Sequence, residues 1–600
     1  MVAACCSFAG RAAPDAAAPE PSLAHTPLVA TRLPAGPGHP WADGWENAAL
    51  VRIDPDGTVT PLLPDFAASC DPDVSHDGRK LVFAGKRHAG DRWRIWEMDL
   101  EEGRPRPITS PERDCRHPLY LSRLFTLDSP EPWATLLFVG AEPIPAARGG
   151  GVVRNLFNVK LDGTDRFQVT ANPADDLDPF QALDGRILYS SWRWAETGPV
   201  DARLFAVSLD GTNVELYGGE RGKRFQRMPC VTPGGRVVFV ESDTITPDGA
   251  GQLACLREAR PHHSYRVLTA DPAWLWLTPC PWSADEILVS RRPAEGGPAE
   301  LVLFNLSGGR STPVRRLDGF HLVQARPIRE RPRPDGCSTV ADPARETGIL
   351  YGLNLYDADV RLAPHLAKGS IRRLRVVQGL PSRGARPTPW RRLLGEAPVE
   401  ADGSFHLEVP AETPLQLQAL DTNGLAVATC EWIWVRPRES RGCIGCHEDP
   451  ERVPENIFVQ AVRKPAVPVH PPADQRPVPG FREKVWPILQ QSCSGARCHG
   501  GPDAEWRLGE GEAGALATYR LLRERYVQPG RARASRLTWH LLGRNTARPW
   551  DAESAEAGPF KPMPPAKAEP LPAESLQTLI EWMDLGAPWS EDSPIPPQQP

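Results

Sequence analysis

The chain has 600 residues, a formal charge of −6 and 40% apolar side chains; that is too long for one compact core and predicts three or four domains. The charge gives no basic footprint for nucleic acid, and no apolar run reaches the roughly 18–20 residues that a membrane-spanning helix needs. Proline is abundant, at 67 residues, and clusters at 460–480 and 588–600, so those stretches read as extended linker and tail.

The amino terminus, "MVAACCSFAG", is small and apolar but has no charged leader. It reads as the end of an export signal whose beginning is missing. Val2-Ala3-Ala4-Cys5 resembles a bacterial lipoprotein box in which Cys5 would carry the lipid; the plainer reading is an Ala-rich start. Residues 11–40, rich in Ala and Pro, complete a leader and flexible tether over 1–40.

A repeat of roughly 50 residues follows, the period of propeller blades. "SHDGRKLVFAG" (75–85) is echoed by "ALDGRILYSS" (182–191), "TPGGRVVFVES" (232–242) and "SADEILVSR" (283–291), with a degenerate copy at 130–140. Most are a tight Asp-Gly or Gly-Gly turn leading into an apolar strand. Second strands such as "WRIWEMDL" (93–100) and "RLFAVSLDGT" (203–212) complete each unit. The repeat resembles the TolB-type propeller, predicted over 41–335 with five or six visible blades, or seven if the edges are degenerate. Its histidines, His117, His262, His263 and His321, read first as loop or packing residues, though one could reach a cofactor in a neighbouring domain. Cys115-Arg116-His117 offers two ligands to zinc where a structural site needs four. Cys70, Cys115, Cys230, Cys255, Cys280, Cys337 and Cys430 are scattered and read mostly as buried small apolar residues.

Residues 336–440 are strand-rich, with alternating Phe405, Leu407 and Val409 and turns at "ADGS" and "DTNG", which predicts a small β-sandwich. Its last strand leads into "RGCIGCHEDP" (441–450), and a Pro-rich linker runs to 477. In 478–590, Phe481, Val485, Ile488 and Leu489 fall at helical spacing, with Pro487 marking a kink or a first turn. Leu576, Leu579, Ile580 and Met583 form the stripe of a final helix that Gly586 stops, before a tail at 591–600.

Two motifs carry the chemistry. Cys443-Ile444-Gly445-Cys446-His447 has the spacing of a c-type haem site: two thiols for the vinyl groups and an imidazole for iron. A thioredoxin dithiol would want a βαβ context, and a zinc ribbon a second pair at matching spacing; neither is present. Cys493 and Cys498, followed by His499, repeat the arrangement with four residues between the thiols, which a bulged loop can accommodate. Met563, one of five methionines, sits in Pro-Met-Pro-Pro and is the expected second iron ligand opposite His499, a pairing that raises reduction potential. Residues 478–590 therefore read as an α-helical cytochrome c domain.

"EADGSFHLEVPAETPLQLQALDTNGLAV…RGCIGCHEDPE" resembles the middle region of hydrazine synthase α subunits and their multi-domain relatives. "VWPILQQSC…CHGG" with "MPP" and "WMDLGAPW" is similar to planctomycete cytochrome c domains. The resemblance implies a propeller, a middle domain with one haem and a C-terminal domain with another. In that family a tyrosine a few residues past the first motif binds the active-site haem, with zinc nearby. Here no tyrosine occurs between 447 and 518, so attachment at Cys443 and Cys446 carries over and N–N bond formation does not. His447 keeps its default role as iron ligand, with zinc as the alternative. The leading expectation is an exported, periplasmic or envelope dihaem electron carrier serving redox partner proteins. The alternatives are an oxidoreductase acting on a small nitrogenous or oxygen substrate at the first haem, and an envelope propeller binding protein with haem redox sensing.

Overall fold

A computed structural model of the chain describes residues 22–35, 45–126, 131–145, 150–195, 198–219, 221–358, 362–382, 389–446, 451, 458–477, 479–496, 498–502, 504–551, 560–565 and 569–591. The predicted hairpins form where the turn chemistry places them. Gly78, Gly185 and Gly235 take left-handed φ of 76°, 92° and 68°, each just before an apolar strand: Lys80–Lys86, Ile187–Ala195 and Arg236–Ser242.

Among the described residues these strands build six four-stranded antiparallel blades. Two of them are joined into one sheet by the parallel pair Ala202↔Phe225. Leu28–Pro34 lies within the expected tether, and the structure corrects that reading. It is a strand whose Leu28, Val29, Ala30 and Leu33 are buried, and it pairs with Phe320–Pro327 to close the ring of blades. The Ala/Pro-rich surroundings hide a seven-residue strand that pairs with Ala49–Ile53 on one side and, on the other, with a strand some 290 residues away.

Each innermost strand carries a bulge next to a non-glycine residue in the left-handed region: Asp71, His117, Asp178, Met228, Thr278 and Gln324, with φ between 49° and 56°. The first five precede proline. Such a conformation costs about 1–2 kcal/mol per residue, and the six positions offset part of it by bonding across blades. Gln324 Nε2 donates to Asp71 Oδ1 at 2.5 Å, and the Asp71 N–H returns a bond to Gln324 Oε1 at 3.0 Å. The His117 N–H donates to Asp71 Oδ2 at 3.0 Å, and the Gln324 N–H to Thr278 Oγ1 at 3.0 Å. This belt surrounds an axial cavity of about 290 Å³.

One buried acid in the propeller is poorly served. Asp176 is fully buried; its Oδ1 accepts from Asn172 Nδ2 at 2.8 Å and Ser191 Oγ at 2.7 Å, while its Oδ2 has no hydrogen-bond partner. Burial pushes the carboxyl up to about 7, against the opposing pull of Asn172, Ser191 and Thr170. A folded-state value above the ordinary carboxylate range means that the proton is held more tightly in the fold. Stability from this group is full below about pH 4 and is lost as pH rises through about 7. Asp176→Asn should therefore match the wild-type melting temperature near pH 4 and exceed it at about pH 8. Equal melting temperatures at both pH values would show that Asp176 carries no such cost.

The middle region is the expected sandwich. One sheet orders Ser440–Cys443, Thr347–Gly352, Phe405–Pro410 and Val467–Pro468; the other orders Trp390–Pro398, Arg373–Leu380, Leu415–Leu420 and Ala426–Thr429. Phe405, Leu407 and Val409 face the core while His406 and Glu408 do not, which is the period of two read from the sequence. Within the Pro-rich stretch, Val467 and Pro468 pair in parallel with Leu407 and Glu408, so this part of the linker is an edge strand. One apolar cluster runs from Leu119, Val207 and Val214 of the propeller to Val376, Leu407 and Val435 of the sandwich.

The last region is helical. Phe481–Val485 forms a π-helical turn that continues into α1 (Trp486–Cys493), with Pro487 as its second residue. Then come α2 (Gly511–Arg525), α3 (Arg536–Leu542) and α4 (Ala573–Asp584). Phe481 lies at the centre, edge-on to Tyr519 at 5.2 Å and stacked on Trp589 at 5.8 Å. Leu579, Ile580 and Met583 of α4 are buried as expected. Among the described residues no helix is long and apolar enough to cross a membrane.

Candidate functional site

The first motif sits at the end of a sandwich strand. Ser440–Cys443 runs parallel to Thr347–Gly352, placing Cys443 opposite Gly352. The chain then bends: Leu353 N–H donates to the Cys443 carbonyl at 2.9 Å, Asn354 N–H to the Ile444 carbonyl at 3.1 Å, and Cys446 N–H to the Asp357 carbonyl at 3.1 Å. Backbone passes so close to backbone that a Cβ on Gly445 would fall 1.7 Å from the Asp357 oxygen. A Cβ on Gly442 would fall 2.7 Å from the Tyr351 hydroxyl. Glycine at 445 is a packing requirement, since the atom in the way is backbone, whereas at 442 it is the end of the Tyr351 side chain; both thiols pack against the core cluster around Leu350 and Phe405. His447 and Cys5 lie outside the described residues.

At the second motif the four-residue gap is absorbed by a bulge. Cys493 ends α1, Cys498 N–H donates to the Gly495 carbonyl at 2.8 Å, and His499 N–H returns to the Cys493 carbonyl at 3.0 Å. The returning bond brings His499 back beside the first cysteine despite the longer spacing. His499 Nδ1 lies 3.0 Å from the Trp506 carbonyl, and its ring stacks on Trp506 at 3.8 Å. A carbonyl only accepts, so Nδ1 carries the proton and Nε2 keeps its lone pair, the arrangement that metal-binding imidazoles use. Burial holds the Cys493 thiol up at about 11.

Met563 is half-buried, and its N–H donates to the His540 carbonyl at 2.8 Å. His540, at the end of α3, was not singled out in the sequence, where a helical histidine reads as surface. Its Nδ1 lies 3.0 Å from the Lys561 carbonyl, so it too presents a lone pair at Nε2. A series of rings, His499, Trp506, Tyr526, His540 and Phe560, links the motif to the Met563 loop with centroid separations of 3.8 to 6.2 Å. The donor set fits a haem: two thiols, an imidazole of fixed tautomer and a thioether, beside a half-buried aromatic wall.

The other candidates do not join these sites. His321 is buried, its Nδ1 accepting from the Ala299 N–H at 3.1 Å. His117 lines the axial cavity between Asp71 and Asp178, 3.8 Å from each. Cys115 is buried, and Arg116 pairs with Asp71 at 2.5 Å. Among the described residues no group of three or more His, Cys, Asp or Glu is placed to hold a metal ion. His262 and His263 occupy a short turn of blade five (Pro261–His263) that reaches the chain beyond the first motif.

Residues 363–448 match the family model described as the hydrazine synthase alpha subunit middle domain, a span that includes Cys443, Cys446 and His447. The likeness is to hydrazine synthase α. The chain is 25% identical to hydrazine synthase subunit alpha of Kuenenia stuttgartiensis, across 91% of this chain and 88% of that protein. The solved Kuenenia stuttgartiensis hydrazine synthase superposes over 96% of each chain with a TM-score of 0.76 at 21% identity, a likeness of fold. TolB from Acinetobacter baumannii covers 52% of this chain and 68% of its own at a TM-score of 0.36 and 14% identity, too low to carry an argument. The expected resemblance to hydrazine synthase α thus extends over 91% of the chain.

Proposed function

We propose that this chain is the α-type subunit of an exported, haem-containing oxidoreductase that works with partner subunits on a small nitrogenous or oxygen substrate at the first motif. The observation that carries the reading is the match to the hydrazine synthase α middle domain running through Cys443, Cys446 and His447, together with likeness over most of the chain. A covalently held haem supplies one-electron chemistry and, where one axial face is open, a place for a small ligand. Cys443 and Cys446 would anchor one such group, with His447 available to its iron; Cys493 and Cys498 would anchor the other, with His499 and Met563 available to its iron. The sandwich backbone fixes the first thiol pair, and the Trp506 carbonyl fixes the His499 tautomer. Because c-type attachment takes place outside the bacterial cytoplasm, we place the protein in the periplasm or cell envelope, with Cys5 as the proposed lipid anchor.

The second reading, an electron carrier without a substrate, is favoured by one feature: no tyrosine occurs between 447 and 518, so the family's distinguishing iron ligand is not supplied downstream. Carbon monoxide separates the two readings. The reduced protein is expected to bind one equivalent per chain, seen as a shifted Soret band. Binding at neither site would leave the carrier reading standing and remove the enzyme.

A further inference from the structure

Asp71 and Asp178 occupy matching places in the belt around the propeller axis: both are left-handed, buried and followed by proline. Their surroundings differ. Asp71 accepts from Gln324 Nε2, from the His117 N–H and from both Nε and Nη2 of Arg116. Asp178 accepts only from Ser190 Oγ, at 3.3 Å to its Oδ2. Its charged neighbours stand further off, Arg227 Nε at 3.5 Å from Oδ2 and His117 Nδ1 at 3.8 Å from Oδ1, too far for good hydrogen bonds. Arg227 is as poorly served. Its Nε is buried without a hydrogen-bond partner, and among the described residues none accepts from the rest of the guanidinium, which lies over the Trp192 ring at 5.3 Å. Gly249, at φ 71°, makes room for it, because a Cβ there would meet Arg227 Nη1.

Buried charges are ordinarily hydrogen-bonded. Here a carboxylate and a guanidinium line one cavity of about 290 Å³ with bonding capacity unused. That volume is near the lower end of small-molecule pockets, roughly 300–1,000 Å³, and far above the roughly 30 Å³ of one water. Leu177, Phe180, Met228 and Leu277 give the same cavity an apolar lining. Opposite charges side by side disfavour a simple ion: Arg227 repels a cation that Asp178 attracts, and Asp178 repels an anion that Arg227 attracts. A ligand carrying both charges satisfies both groups. We propose that the axial cavity binds a small zwitterion of the α-amino-acid class. Its ammonium donates to Asp178 Oδ1, its carboxylate accepts from Arg227, and an apolar side chain lies against Met228 and Leu277. The site is independent of the haem reading and gives the propeller a ligand of its own.

The test is isothermal titration calorimetry on the full chain with leucine, compared with isoamylamine, which lacks the carboxylate, and isocaproate, which lacks the ammonium. Leucine is expected to bind once per chain. Each single-ended probe should bind about tenfold more weakly or worse, the order of one hydrogen bond to a charged group. Asp178→Asn and Arg227→Gln should each weaken leucine by a similar factor. Asparagine tolerates the left-handed φ of 54° at position 178, so the belt is expected to persist. Should either variant fail to fold, hydrogen exchange on the wild-type chain decides: leucine is expected to slow exchange in the peptides carrying Asp178 and Arg227 and to leave those of the helical region unchanged. Absence of leucine binding, an amine or acid that binds as well as leucine, folded variants of unaltered affinity, or unslowed exchange in those peptides overturns the proposal.

Discussion

Replacing Cys493 and Cys498 together with alanine is expected to lower covalent haem from two per chain to one, read as pyridine haemochrome against intact mass. The expectation rests on the loop at 493–499. The His499 N–H returns to the Cys493 carbonyl, so cysteine and histidine stay neighbours despite the longer spacing. Replacing Cys443 and Cys446 should remove the other haem, and all four changes together should give a colourless protein. Two haems surviving the Cys493/Cys498 change would show that the longer spacing is not used. Within the same series Met563→Ala should leave the count at two and lower the reduction potential of the second site, because thioether ligation raises it. An unchanged potential would assign the second axial position to another donor, and His540, whose carbonyl holds the Met563 N–H, is the adjacent candidate.

Asp584→Ala is expected to cost about 3 kcal/mol in chemical denaturation, the order found when one partner of a buried ion pair is removed. Arg375 lies on a strand of the sandwich and is fully buried. It meets Glu396 at 3.1 Å within its own sheet, and Asp584 and Glu581 of α4 at 3.4 and 3.5 Å. Asp584 also accepts the Ala532 N–H at 2.8 Å. Removing it strands part of a buried guanidinium charge and an amide at once. The same junction is joined at its rim by Arg533 with Asp421, and by Arg548 donating to the Val427 carbonyl at 3.2 Å. A loss under about 1 kcal/mol, the value of an exposed pair, would mean that the helical region is held by its rim instead. Limited proteolysis gives an independent reading, since a weakened junction should release a fragment near residues 478–590 more quickly.

Much of this was legible in the sequence because it depends on local rules. Asp-Gly turns before apolar runs marked the blades, a period of two marked Phe405–Val409, and helical spacing marked both Phe481–Leu489 and the stripe on α4. The thiol and imidazole motifs stood out by their spacing, which is the basis of the haem proposal. Other features were illegible because their partners are distant along the chain. Leu28–Pro34 pairs with nearby Ala49–Ile53, but the pairing that closes the ring is with Phe320–Pro327. The six left-handed residues around the axis are unremarkable singly and acquire meaning only as a belt.

By itself, then, the sequence determined the repeat and most strands and helices, and it singled out the thiol and imidazole residues proposed to hold haem, because backbone preference and donor spacing act over a few residues. The tertiary structure alone decided that Gly445 has no room for a Cβ, which nitrogen of His499 and His540 faces a carbonyl, and that Glu451 meets the turn at His262. Those outcomes depend on what packs against a residue, and packing brings together segments from 7 to 189 residues apart along the chain.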